Sequence, residues 1–196
     1  GAIVEIVRSG DVIPKILKVV KAVKNPMFPD EDYTWTSSKV DIVLTHPEQN
    51  DGVKMKIIEH FFATHKVPFF KRGTIIKTIN AGFNTIPEIL RMTISDFTSV
   101  DGISDTSARK YKKAIHSNYS KKDIATIMAG STHFGSGFAI TKIKPIIEAI
   151  PDILTTDMSD SEIIESIANL SGFSKKSGTK FMKGLPSFKV FYHSLP

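Results

Sequence analysis

The 196-residue sequence contains no cysteine and one tryptophan. The first absence excludes disulfides, thiolate nucleophiles and cysteine-ligated zinc, and it fits an intracellular setting. No apolar run approaches the roughly 18 residues that a membrane span needs, and "GAIVEIVRSGD" lacks the apolar core of a signal peptide. A soluble chain with no membrane partner is expected. Recognisable catalytic sets are also missing: there is no paired-acid motif, metal-ligand cluster or nucleophile–base constellation. His60 and His65 are spaced off a common helical face, and Gly130 to Gly135 is followed by Ser136 where a nucleotide loop requires Lys-Ser/Thr. Neither a metal site nor a catalytic residue is assigned.

What is present is a basic globular chain. Lys and Arg number 26 against 20 Asp and Glu, for a net charge of +6, and 41% of residues are hydrophobic, enough for an ordinary core. Such a balance favours polyanionic partners.

Three regions follow from the patterning. Residues 1–24 alternate apolar and polar over Ile3 to Val7, break at Ser9-Gly10-Asp11 and resume at Val12, as a strand pair does. Two strands cannot bury a face alone, so they are expected to complete a small barrel within something longer. Residues 25–52, with "YTW" and "VDIVL" about a Ser-Ser turn, predict a β-hairpin linker; Tyr33 and Trp35 are expected to pack it, with base stacking as the other use. From Val53 the spacing turns helical, with Met55, Ile58, Phe61 and Phe62 on one face. The fold class is therefore mainly α with a small β part.

Within 53–196 lies an internal repeat. "TIPEILRMTISDFTSVDGISDTSARKY" is echoed by "AIPDILTTDMSDSEIIESIANLSGFSKKSGTKF", so Pro87 recurs as Pro151 and Gly102 as Gly172. The unit predicted twice is helix, turn, helix, short proline-led helix, turn, helix. Three turns share a pattern: Gly102-Ile103-Ser104 with Ala108, His133-Phe134-Gly135 with Ala139, and Gly172-Phe173-Ser174 with Gly178. A fourth is expected at about 70–73. The glycine permits a positive φ, and the apolar residue plugs the helix pair. The exposed amides then meet the positive end of the helix dipole, which makes a phosphate site without base specificity.

The candidate DNA-binding residues are Lys71, Arg72 and Gly73 in the first turn, and Gly102, Ser104, Ser107, Arg109 and Lys110 in the second. His133, Gly135, Ser136 and Gly137 form the third, and Gly172, Ser174, Lys175 and Lys176 the fourth. His133 has two readings, a DNA contact or a local cap. Arg8, on the first strand, either meets DNA or supports the turn at Gly10.

Four such turns resemble tandem helix-hairpin-helix domains, which grip duplex DNA by its backbone across the minor groove. "VEIVRSGDVIPKI" resembles the end of the OB-fold of bacterial-type NAD-dependent DNA ligases, departing at Ser9. "IIEHFFATHKVPFFKRGTIIKTINAG" and "IMAGSTHFGSGFAITKI" resemble that family's helix-hairpin-helix domain. The resemblance implies OB-fold strands at 1–24, a cysteine-free hairpin at 25–52 in place of the family's zinc finger, and two hairpin pairs at 53–196. It also implies nicked duplex DNA as partner, an upstream adenylation domain of the same protein, and NAD and Mg as cofactors of the parent ligase. No cofactor is expected in this chain: in the family's Lys-x-Asp-Gly motif the lysine attacks NAD, whereas Gln49 and Ser99 hold that place before Asp51-Gly52 and Asp101-Gly102. The chain alone is expected to be inactive. Loss of the zinc finger suits a divergent viral relative working in the cytoplasm of an infected cell, a bacterial cytoplasm being the other setting. A freestanding binder of branched or damaged DNA is the alternative, and such a module has no need of the strand pair at 1–24.

Overall fold

Alternating apolar residues near the N-terminus form β1 (Ile3–Ser9), which pairs antiparallel with β2 (Ile13–Lys21) so that Val7 faces Lys15 and Arg8 faces Pro14. The computed structural model describes residues 1–10 and 13–196; Asp11 and Val12, the end of the expected turn, lie outside the described residues. A Glu5–Lys18 ion pair at 3.0 Å ties the strands. Ile6, Ile13, Ile16, Leu17, Val19 and Val20 are all exposed, an apolar load on both faces that a two-stranded ribbon leaves uncovered.

A second ribbon joins β3 (Tyr33–Trp35) to β4 (Ile42–Leu44), with Trp35 opposite Ile42. The rings of Phe28, Tyr33 and Trp35 meet at 5.9 to 6.4 Å and form an aromatic cluster on the short ribbon. Residues 1–47 form one unit and residues 48–196 another.

The second unit is all helix and turn among the described residues. Asn50 caps α1 (Asp51–Thr64) by accepting from the Val53 amide at 3.0 Å, and Met55, Ile58, Phe61 and Phe62 are buried as their spacing predicts. The chain continues through α2 (Arg72–Asn80), α3 (Ile86–Arg91), α4 (Ile94–Ser99) and α5 (Asp105–Asn118). The second half runs α6 (Ile124–Gly130), α7 (Ile140–Ala149), α8 (Asp160–Ala168) and α9 (Lys175–Ser194). Helix α6 is buried from Ala125 to Gly130, and Phe61, Phe62, Phe97, Phe181 and Phe188 are fully buried rings.

The proline-led helix occurs only in the first copy. Thr85 and Glu88 close a capping box on α3, with Pro87 in its first turn; the equivalent of Thr85 is Ala149, which has no hydroxyl, and residues 151–155 remain turn.

Helix α9 reaches the core through two glycines. A Cβ on Gly178 would lie 2.8 Å from the Ile164 carbonyl oxygen, and one on Gly184 would lie 2.6 Å from that of His133. Gly→Ala inside an ordinary helix stabilises by about 1 kcal/mol. Here rigid backbone stands in the way, so Gly184→Ala is expected to destabilise by roughly 1–3 kcal/mol, read as a lower urea midpoint.

Among the described residues, two buried polar atoms have no hydrogen-bond partner, His65 Nε2 and Tyr119 Oη. His65 Nδ1–H donates to the Phe61 carbonyl at 2.9 Å, which leaves Nε2 as a bare acceptor, and burial holds the pKa below the ordinary 6.5. Burial also raises the Tyr119 pKa to about 12. Since the unfolded chain binds the His65 proton more tightly than the folded chain, stability is full above about pH 6.5 and falls as pH drops towards the lowered value. Urea midpoints at pH 7.5 and 5.5 check this, and His65→Phe is expected to flatten the difference.

Candidate nucleic-acid interface

Four turns open helices α2, α5, α7 and α9, and they share a three-residue register. A residue with positive φ comes first: Phe69 (66°), Gly102 (69°), Gly137 (95°) and Gly172 (77°). An apolar residue follows: Phe70, Ile103 and Phe138 are buried and Phe173 is half-buried. The helix N-cap is third: Lys71, Ser104, Ala139 and Ser174. The third turn is thus Gly137-Phe138-Ala139, four residues beyond the His133-Phe134-Gly135 triplet that the sequence suggested.

The N-termini differ in how their amides are used. Ser104 Oγ accepts from the Ser107 amide at 3.3 Å and Ser174 Oγ from the Ser177 amide at 3.4 Å, so both serines cap their own helices. Helices α2 and α7 have no side-chain cap, and their first amides stay available to an outside acceptor. Lys71, Arg72 and Gly73 are exposed there, and a Cβ on Gly73 would meet nothing within 4 Å. Helix α5 opens instead on Asp105, whose carboxylate binds Arg109 at 2.8 Å. That contact is the main reason the Arg109 pKa is raised, and it spends part of the guanidinium's charge locally. Lys175 is held in the same way by Glu165 at 2.9 Å.

Crossing cations complete the turns: Lys110 is among the residues expected from sequence, whereas Lys77, Lys142 and Lys180 are not. Lys77 Nζ donates to the Gly102 carbonyl at 3.1 Å, Lys142 Nζ to the Gly172 carbonyl and Lys180 Nζ to the Ser136 carbonyl. Lys110 Nζ lies 3.5 Å from the centroid of the Phe69 ring. Each turn is therefore met by a lysine from the helix after the paired turn. Lys77, Lys110 and Lys180 all stand six residues after their N-caps, while that place in α7 is Pro145 and Lys142 takes over the contact. An ammonium with one N–H on a carbonyl keeps two for another acceptor.

In the second half these groups converge. A cleft of about 240 Å³ is lined by Ser136, Gly137, Phe138, Lys142, Phe173, Ser174, Lys176, Ser177 and Lys180, which places three lysines beside the N-terminus of α9. Low-dielectric phenylalanine walls and fixed donors make such a cleft attractive to small anions of the chemistry of phosphate.

Other predicted residues lie elsewhere. The His133 ring packs 5.3 Å from that of Phe191, its Nδ1 is 3.1 Å from Ser187 Oγ, and burial lowers its pKa. Its geometry locks the loop to α9. Gly135 has a φ of 69° and sits against the Lys180 stem, and Arg8 belongs to the other unit. Of the two Asp-Gly pairs, Asp51 starts α1 and binds Lys54 at 3.2 Å, and Asp101-Gly102 is the second turn. A hollow of about 850 Å³ between α1, α6 and the third turn has no carboxylate in its lining.

The comparisons with known proteins bear on this architecture. No family model matches the chain. The DNA ligase of Acanthamoeba polyphaga mimivirus is 34% identical over 194 residues, which is 98% of this chain and 30% of the viral protein. The chain is homologous to DNA ligases. A relative from Invertebrate iridescent virus 6 whose name includes DNA ligase is 26% identical over 196 residues, 100% of this chain and 30% of its own length. The DNA ligase of Shewanella baltica is 29% identical over 205 residues, 96% of this chain and 29% of the bacterial protein. The chain thus spans about 30% of the length of these ligase relatives. Its two units carry a repertoire of turns and cations and, among the described residues, no group of three or more His, Cys, Asp or Glu that could hold a metal.

Proposed function

We propose that this chain is the DNA-gripping, C-terminal part of an NAD-dependent DNA ligase, holding nicked duplex by its phosphates while a separate adenylation domain performs the chemistry. The single observation that carries the reading is the convergence of Lys142, Lys176 and Lys180 with two hairpin turns in one small cleft. Uncapped amides at α2 and α7 offer further sites of the same kind. Contacts to phosphate position a protein without reading bases, which suits an enzyme that must act at any nick. The alternative, a freestanding binder of branched DNA, accounts less well for similarity to ligases across both units.

NAD does not fit the residues present, since Gln49 and Ser99 stand where the reactive lysine is needed. Incubation with adenylate-labelled NAD and Mg is therefore expected to leave the chain unlabelled. Fluorescence anisotropy with nicked duplexes of scrambled sequence is expected to give dissociation constants equal within about threefold. Preference for one sequence would sink the phosphate-grip reading; a labelled chain would refute the division of labour.

A further inference from the structure

Three of the four hairpin turns place glycine at the left-handed position, and the first places Phe69 there with a φ of 66°. A Cβ disfavours this region, so the ring is held at a conformational cost that glycine would remove. Packing offers little in return, because Phe69 is 54% exposed while its neighbour Phe70 is buried at 2%. Lys110, from the paired hairpin, covers the ring at 3.5 Å from its centroid and fixes its direction. The result is an exposed, oriented aromatic ring immediately before the uncapped N-terminus of α2.

We infer that Phe69 is a non-ionic contact residue of the DNA interface, laying its ring on the flat apolar surface of a deoxyribose or a nucleobase in the groove beside the phosphate held at α2. The inference rests on the DNA-gripping reading and adds a contact of another chemistry. Apolar side chains placed in the minor groove press on sugars and base steps in this way, most cheaply where stacking is already broken. Strain retained at an exposed tip is then explained by what the ring meets outside the protein.

The test compares the wild-type chain with Phe69→Gly, Phe69→Asn and Phe69→Tyr on intact and one-nucleotide-gapped duplexes over a salt series. Glycine and asparagine both accept the left-handed conformation and lack the ring. Both variants are expected to bind about 5- to 100-fold more weakly, as lost stacking dictates, with an unchanged salt slope and a thermal midpoint no lower than wild type. Tyrosine is expected to restore affinity. A greater loss on the gapped duplex identifies a base as the surface, and equal losses identify deoxyribose. Unaltered affinity in Phe69→Gly, with wild type still showing a steep salt dependence, would overturn the inference and leave the grip standing. A slope shallower by about 1 would also overturn it, since Phe69 would then be acting through a phosphate contact. Wild type that binds neither duplex would remove both.

Discussion

Replacing Lys142 and Lys180 together by alanine is expected to weaken duplex DNA binding about 100-fold at moderate salt and to make the log–log salt slope shallower by about 2. Each ammonium donates to a carbonyl of the opposite turn, and both line the cleft of about 240 Å³. A charge-assisted hydrogen bond to phosphate contributes about 1.5 kcal/mol, or roughly tenfold, and the two lysines meet neighbouring turns. The same change is expected to shift stability by about 1 kcal/mol or less, because the hydrogen bonds lost are exposed. Lys175→Ala makes the contrast: its ammonium is engaged by Glu165, and its loss is expected to cost about threefold or less. Anisotropy titrations at several salt concentrations, with the urea midpoint measured alongside, separate the two effects.

Phe181→Ala is expected to destabilise the helical unit by about 3–5 kcal/mol, with a thermal midpoint lower by on the order of 10 °C. The ring is fully buried and stacks on Phe134 at 4.6 Å with an interplanar angle of 12°, and Phe138 stands 5.8 Å away. Phe138 is the plug of the third turn and also a wall of the anion cleft, so a cavity at 181 loosens the turn that positions Gly137 and Ser136. DNA affinity is therefore expected to fall below the unfolding transition as well as through it. Val190→Ala on the same helix, 74% exposed, is expected to change stability by about 0.5 kcal/mol or less. Calorimetry of the two variants checks both values.

The legible parts of the molecule are those decided by neighbours in the chain. Met55, Ile58, Phe61 and Phe62 mark the buried face of α1 by spacing alone, and Gly102-Ile103-Ser104 and Gly172-Phe173-Ser174 mark two turns because their glycines stand where positive φ is needed. The third turn offers two registers, since Gly135 and Gly137 both have positive φ and Phe134 and Phe138 are both buried. The first was masked by Phe69, which occupies a glycine's place.

The crossing lysines depend on tertiary pairing of hairpins, which no local pattern reports. A trace was nonetheless present: the offset that carries Gly102 to Gly172 also carries Lys110 to Lys180. In the second copy Ala149 lacks the hydroxyl that caps α3, and the proline-led helix gives way to turn. For β1 and β2 the alternation announces strands, while what covers their exposed isoleucines and valines is not written in these residues.

The central claim is that the four turn tips act as backbone grips on duplex DNA. Its most direct measurement is the dissociation constant of the wild-type chain for one nicked duplex from about 50 to 300 mM salt. If each tip neutralises one phosphate, the plot of log affinity against log salt is a line of slope about −3.6, roughly −0.9 per contact. A slope near zero would contradict the account.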